Sequence, residues 1–140
     1  MRPTAAILGL CLAVLPLAPI LAEDAPVLSV ELNKLEQIGT DCRSYMVLAN
    51  RTGSALEQLS LDLVVFDKGG VIDRRLAVEL GPVKSGRTQV KVFDMSDLDC
   101  GRVARVLMND VLACVPGRVG EAGSCDEALR VSGRAVDFIR

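Results

Sequence analysis

An all-β sandwich is the fold that this 140-residue sequence predicts. Three observations lead there. Apolar and polar residues alternate over short runs, turn signals recur every ~8–12 residues, and no long stretch carries apolar residues at helical spacing.

The first run, residues 28–32, alternates strictly, with Leu28, Val30 and Leu32 on one face of a half-buried strand. In residues 42–49, Tyr45, Val47 and Ala49 lie on one side and Met46 and Leu48 on the other. Two apolar faces predict a central strand covered on both sides. Asn50-Arg51-Thr52-Gly53-Ser54 supplies turn chemistry. A third strand over 59–66 points Leu59, Leu61, Leu63 and Val65 inward against Ser60 and Asp62, and Asp67-Lys68-Gly69-Gly70 reverses the chain.

The fourth strand covers 71–80. Its Arg74-Arg75 pair forces at least one arginine to the side carrying Ile72, Leu76 and Val78. An edge strand whose charge discourages edge-to-edge pairing accounts for this, and a partner-facing cation is the sharper alternative. Gly81-Pro82 and Ser85-Gly86 then lead into a fifth strand, 88–93, with Val90 and Val92 expected inward and Gln89 and Lys91 outward. After an acidic loop, residues 103–114 predict a sixth strand with a bulge at Asn109-Asp110. Residues 116–123 read as loop. Ser124-Cys125-Asp126-Glu127 has the spacing of a capping box, which predicts one helical turn through Leu129, and residues 134–139 form the last strand. The sum is an antiparallel, immunoglobulin-like sandwich of about seven strands. With no tryptophan in the chain, the likeness to antibody-type domains is one of architecture only.

Residues 1–22 read as an export signal: Arg2 is the charged start, residues 5–17 the apolar stretch, and Leu21-Ala22 the cleavage edge before Glu23-Asp24. A spanning helix needs about 20 apolar residues, and Pro16 and Pro19 interrupt this shorter run. Leu10 before Cys11 disfavours a lipoprotein box, and Arg2-Pro3 lacks the second arginine of a twin-arginine signal. The general secretory route to the periplasm is therefore expected, leaving residues 23–140 as one disulfide-stapled domain.

Cleavage removes one base and no acid, so the net charge of −2 becomes slightly more negative. A mildly acidic domain has no electrostatic footprint for nucleic acid. Cleavage also removes Cys11 from the five cysteines, leaving Cys42, Cys100, Cys114 and Cys125. An even set in an oxidising compartment predicts two disulfides. Three pairings are formally open. Cys42 with Cys100 and Cys114 with Cys125 is favoured, because the second pair closes a short glycine-rich loop and the first clamps a longer one.

Residues 45–53, the run Leu61-Asp62-Leu63-Val64-Val65-Phe66-Asp67-Lys68-Gly69-Gly70 and the turn Leu80-Gly81-Pro82 resemble the FxLYD-type bacterial β-sandwich domains. The shared elements are an asparagine turn, an aromatic-Asp-x-x-Gly hairpin and a Leu-x-Pro turn. At the signature itself this chain has Val64-Val65-Phe66-Asp67. Residues 27–140, including Leu28-Ser29-Val30-Glu31-Leu32-Asn33 and residues 106–114, are also similar to a group of small exported proteins of alphaproteobacteria. The resemblance implies fold and compartment and carries over no active site.

The chain has no histidine, which removes Ser-His-Asp and Cys-His catalysis, ordinary catalytic zinc and an imidazole acid/base group. Met46, Met95 and Met108 are scattered without histidine partners and read as core rather than as copper ligands. Asp94, Asp97 and Asp99 offer hard oxygen atoms of the kind calcium takes, but the glycine turn and distal glutamate of an EF-hand loop are missing, so solvated loop acids are expected. Asn50-Arg51-Thr52 matches a glycosylation sequon and reads as a hairpin turn. No cofactor is expected. The expected function is that of a non-catalytic periplasmic protein-interaction module, an accessory of an envelope or membrane-protein complex. A small secreted inhibitor or ligand-binding protein, presenting the 114–125 loop, is the alternative, and an enzyme working with carboxylates alone is the least favoured.

Overall fold

Residues 27–115 and 125–140 are described by the computed structural model. The expected export signal with Cys11, the expected 116–123 loop and Ser124 of the expected capping box lie outside the described residues. Eight strands form: β1 (Leu28–Ile38), β2 (Asp41–Asn50), β3 (Gln58–Asp67), β4 (Ile72–Glu79), β5 (Thr88–Met95), β6 (Val103–Val115), β7 (Leu129–Gly133) and β8 (Asp137–Ile139). One turn of 3-10 helix, Cys100–Arg102, precedes β6, and a one-turn helix α1, Cys125–Ala128, precedes β7. The strands assemble into two four-stranded sheets, ordered β5-β2-β1-β7 and β4-β3-β6-β8. A single apolar core drawn from both sheets makes this an all-β sandwich.

Alternation decides the core side of each sheet. Leu28, Val30 and Leu32 of β1, Met46 and Leu48 of β2, and Leu59, Leu61, Leu63 and Val65 of β3 are all buried on inward faces. Met95 and Met108 join Met46 in the core, as expected of flexible apolar fillers. The bulge expected in β6 is present, since Asn109 is skipped between the pairs Asp62↔Asp110 and Leu63↔Met108. Further irregularities in the β3–β6 ladder skip Leu112 and Ala104. Each skip resets the alternation, so that Val103, Val106, Met108 and Val111 all contribute to one core from a single strand.

Asn50 closes β2 and is fully buried. Its Oδ1 accepts from the Thr52 backbone N–H at 3.1 Å and the Thr52 hydroxyl at 2.6 Å, while its Nδ2 donates to the Ser54 carbonyl at 2.7 Å. This Asx turn carries the chain from the first sheet to the second. The β3–β4 hairpin works likewise: the Asp67 carboxylate accepts from the Gly69 and Val71 N–H groups, and Gly70 adopts φ 77°.

Both expected disulfides form. Cys42, at the start of β2, is bonded to Cys100 in the 3-10 turn across a Cα separation of 5.0 Å, and Cys114 of β6 to Cys125 of α1 across 6.3 Å.

Five expectations are corrected. The sheets are mixed rather than antiparallel, because β7 runs parallel to β1 and β8 parallel to β6. The helical turn ends at Ala128, so Leu129 opens a strand the alternation did not reveal, and the last strand is confined to Asp137–Ile139. In β7 only Leu129 is buried and Val131 half-buried before Gly133 ends it, which is too short an apolar pattern to read. β2 is central but buried on one face only, with Tyr45, Val47 and Ala49 half-buried on the other. Asp62 is buried, although its face of β3 was read as exposed.

The fifth correction concerns β5. Val90 and Val92 are 60% and 49% exposed. The register with β2 sets Val90 opposite Val47 and Val92 opposite Tyr45, on the outer face, and Lys91 opposite the buried Met46. The core contributions of β5 are Phe93 and Met95, which share the Lys91 face.

Candidate interaction surface

The outer face of the first sheet has an apolar centre. Val90 and Val92 of β5 adjoin Val47 and Tyr45 of β2 in direct register, with Ala49 beside Thr88. The charges around this patch are tied to one another. Arg43 donates to both Asp94 oxygens at 2.7 and 2.9 Å, Lys34 pairs with Glu36 at 2.9 Å, and Arg134 pairs with Glu31 at 3.0 Å. The Tyr45 hydroxyl donates to Glu36 at 2.5 Å, and the Lys34 ammonium stands 5.1 Å from the Tyr45 ring centre. That hydrogen bond, followed by Lys34, holds the Glu36 carboxyl below its ordinary range, and the same bond raises the Tyr45 hydroxyl. Arg43 holds Asp94 low in the same way. An apolar centre inside a rim of satisfied polar groups is the anatomy of a protein-interaction patch.

β5 is also the terminal strand of its sheet, hydrogen-bonded to β2 alone among the described strands. A terminal strand presents a row of backbone N–H and C=O groups to solvent. Lys91 sits at the middle of this edge, half-buried, and forms no ion pair among the described residues. Its register partner is the buried Met46, so Lys91 sits on the inner-facing side of β5.

The arginine pair lies on the opposite sheet, in β4, which is an edge strand as its charges foretold. The two side chains part company. A bulge in the β3–β4 ladder between Val65↔Arg74 and Phe66↔Ile72 leaves Arg74 on the inner side with Leu76 and Val78. From there it reaches the turn that follows β5, donating to the carbonyls of Ser96 and Asp97, and pairs with Asp73 at 2.8 Å. Arg75 points outward, donating to both oxygens of the buried Asp62 at 2.7 Å. Asn109, placed by its bulge, donates to Asp62 at 2.6 Å. Both arginines are thus engaged within the chain.

Arg75 first, then Asn109, hold the Asp62 carboxyl below its ordinary range against desolvation. A carboxyl lowered by folding contributes stability that is present above its unfolded pKa, about 3.9, and lost as pH falls through the lower folded value. Asp62→Asn is therefore expected to lower Tm by several degrees at neutral pH. The gap to the parent protein is expected to narrow as pH drops from about 5 to about 2. Thermal melts across that range check this, and a gap independent of pH would falsify the assignment.

The acidic loop brings no carboxylates together. Asp94 is held by Arg43, and Asp97, at φ 51°, donates its N–H to Asp41 while its carbonyl accepts from Arg74. Asp99 caps the 3-10 turn by accepting from the Gly101 N–H. Among the described residues no cluster of acids and cysteines suits a metal ion. An open depression of about 340 Å³ beside the β3–β4 turn is lined by Asp67, Lys68, Asp99 and Arg102, and each of the two carboxylates accepts backbone N–H groups through Oδ1.

In β5 the sequence pattern assigns Gln89, Val90, Lys91 and Val92 to the wrong faces. The signal was present in Phe93 and Met95, which alternate out of phase with the valines and are bulkier. No family model, curated protein or solved structure matches the chain.

Proposed function

We propose that this protein is a non-catalytic protein-interaction module of the bacterial periplasm, an accessory of an envelope or membrane-protein complex, exported by the general secretory route and cleaved near Ala22. The observation that carries the reading is the exposure of Val90 and Val92 on the open-edged sheet, within a rim of mutually paired charges. Solvent-facing valines contribute little to folding, whereas covering them releases water from apolar surface. The two disulfides fit an oxidising compartment. No helix among the described residues is long and apolar enough to cross a membrane.

Affinity recovery of the tagged protein from the periplasm tests this. Envelope or membrane-protein subunits are expected with the parent protein and not with the Val90→Asp/Val92→Asp variant, whose Tm should be nearly unchanged because both positions are exposed. Recovery of a soluble enzyme that loses activity on binding would favour the secreted-inhibitor reading, and recovery of nothing would sink the module. Intact mass is expected to start at Glu23 and to lie about 4 mass units below the four-thiol form.

A further inference from the structure

We infer that the open edge of β5 accepts an extended segment of a partner protein as an added strand, and that Lys91 selects a segment with an acidic residue at the position opposite it. The inference rests on the interaction-module reading and names the chemistry of the partner. Strand addition needs an unpaired edge, and β5 has one, since β2 is its sole hydrogen-bonded neighbour among the described strands.

The side chains of β5 set what the incoming strand must look like. Residues directly opposite each other in a β-ladder share a face. Positions opposite Val90 and Val92 fall on the outer face, where Val47 and Tyr45 already provide apolar neighbours, so apolar residues there extend the patch across the new strand. The position between them falls on the Lys91 face. Lys91 is half-buried and unpaired among the described residues, while Gln89 beside it is occupied, accepting from the Lys84 N–H at 2.6 Å. An aspartate or glutamate opposite Lys91 would place a carboxylate within reach of a cation that no described residue pairs. The required segment is apolar-acidic-apolar.

The same lysine disfavours a second copy as the occupant. The antiparallel register that sets Val90 of one copy against Val92 of the other also sets Lys91 against Lys91, and like charges directly opposite are destabilising. Charge complementarity with one partner and repulsion of self are two results of a single side chain.

The test is NMR titration of the isotope-labelled protein, as purified from its producing cells, with two short synthetic peptides. One has aspartate flanked by valines, the other lysine in the same frame. The aspartate peptide is expected to shift the amide signals of β5 and β2 and to slow hydrogen exchange along the β5 edge. It should bind about tenfold more tightly than the lysine peptide. Lys91→Glu should invert that preference without changing Tm, because Lys91 has no ion pair within the described fold to lose. Equal binding of both peptides, shifts that map away from β5, no binding of either, or a β5-paired dimer in the absence of peptide would each overturn the inference. If these fail while Val90→Asp/Val92→Asp still abolishes recovery of envelope subunits, the strand-addition inference falls and the interaction module stands.

Discussion

Replacing Cys42 and Cys100 together by alanine is expected to remove about 4 kcal/mol of unfolding free energy, the largest effect of any change considered for this chain. The bond joins residues 58 apart in sequence. Loop-closure entropy grows with the logarithm of that separation, so the unfolded chain gains more freedom here than at Cys114–Cys125, where the separation is 11 and the corresponding loss is about 3 kcal/mol. Position adds to the effect, because Cys42 is fully buried where β2 begins and Cys100 holds the 3-10 turn that launches β6. The bond therefore ties a strand of one sheet to the entry of a strand in the other. Denaturant titrations of the parent and the double variant should show a lower midpoint, with a steeper slope because the unbridged unfolded chain exposes more surface. A loss below about 1 kcal/mol would mean that the packing of β2 and the 3-10 turn holds without the bridge.

Gly133→Ala is expected to cost about 3 kcal/mol, at the upper end for added bulk. Gly133 pairs with Leu32 at the end of β7, and the chain folds back on itself immediately afterwards to begin β8. A Cβ at this position would run into the Val136 carbonyl oxygen and stand 2.6 Å from the Phe138 backbone nitrogen. Both obstacles are backbone, so no side chain can swing aside. Relief requires moving β8, and with it Phe138, which is buried. Gly53→Ala is the control: φ there is 81°, with nothing within 4 Å of the added carbon, so only the left-handed penalty of about 1 kcal/mol applies. Thermal melts and amide exchange in β8 distinguish the two, and equal losses would show that the corner at Gly133 can relax.

Much of the fold was legible because alternation and turn chemistry are local. Leu28, Val30 and Leu32 declare the buried face of β1 without reference to any other strand, and Asn50 and Asp67 mark their turns by side-chain bonds to nearby backbone. The bulge at Asn109 was visible as polar residues interrupting an apolar strand. What escaped depends on neighbours. Asp62 is buried because Arg75 and Asn109 converge on it from strands on either side, a meeting set by register. The faces of β5 depend on its alignment with β2, and β7 has so few apolar residues that its place beside β1 is decided by parallel pairing. The candidate surface was hidden for the same reason: two valines at alternate positions look like core until the register with β2 sets them on the outer face.

The placement of β7 and β8 has a consequence for the order in which the molecule can assemble. These last two strands close the β1 side of one sheet and the β6 side of the other. Until Phe138 has arrived, β1 and β6 each lack a neighbour and the core lacks a wall, so a chain delivered from its N-terminus has no finished native state to fall into along the way.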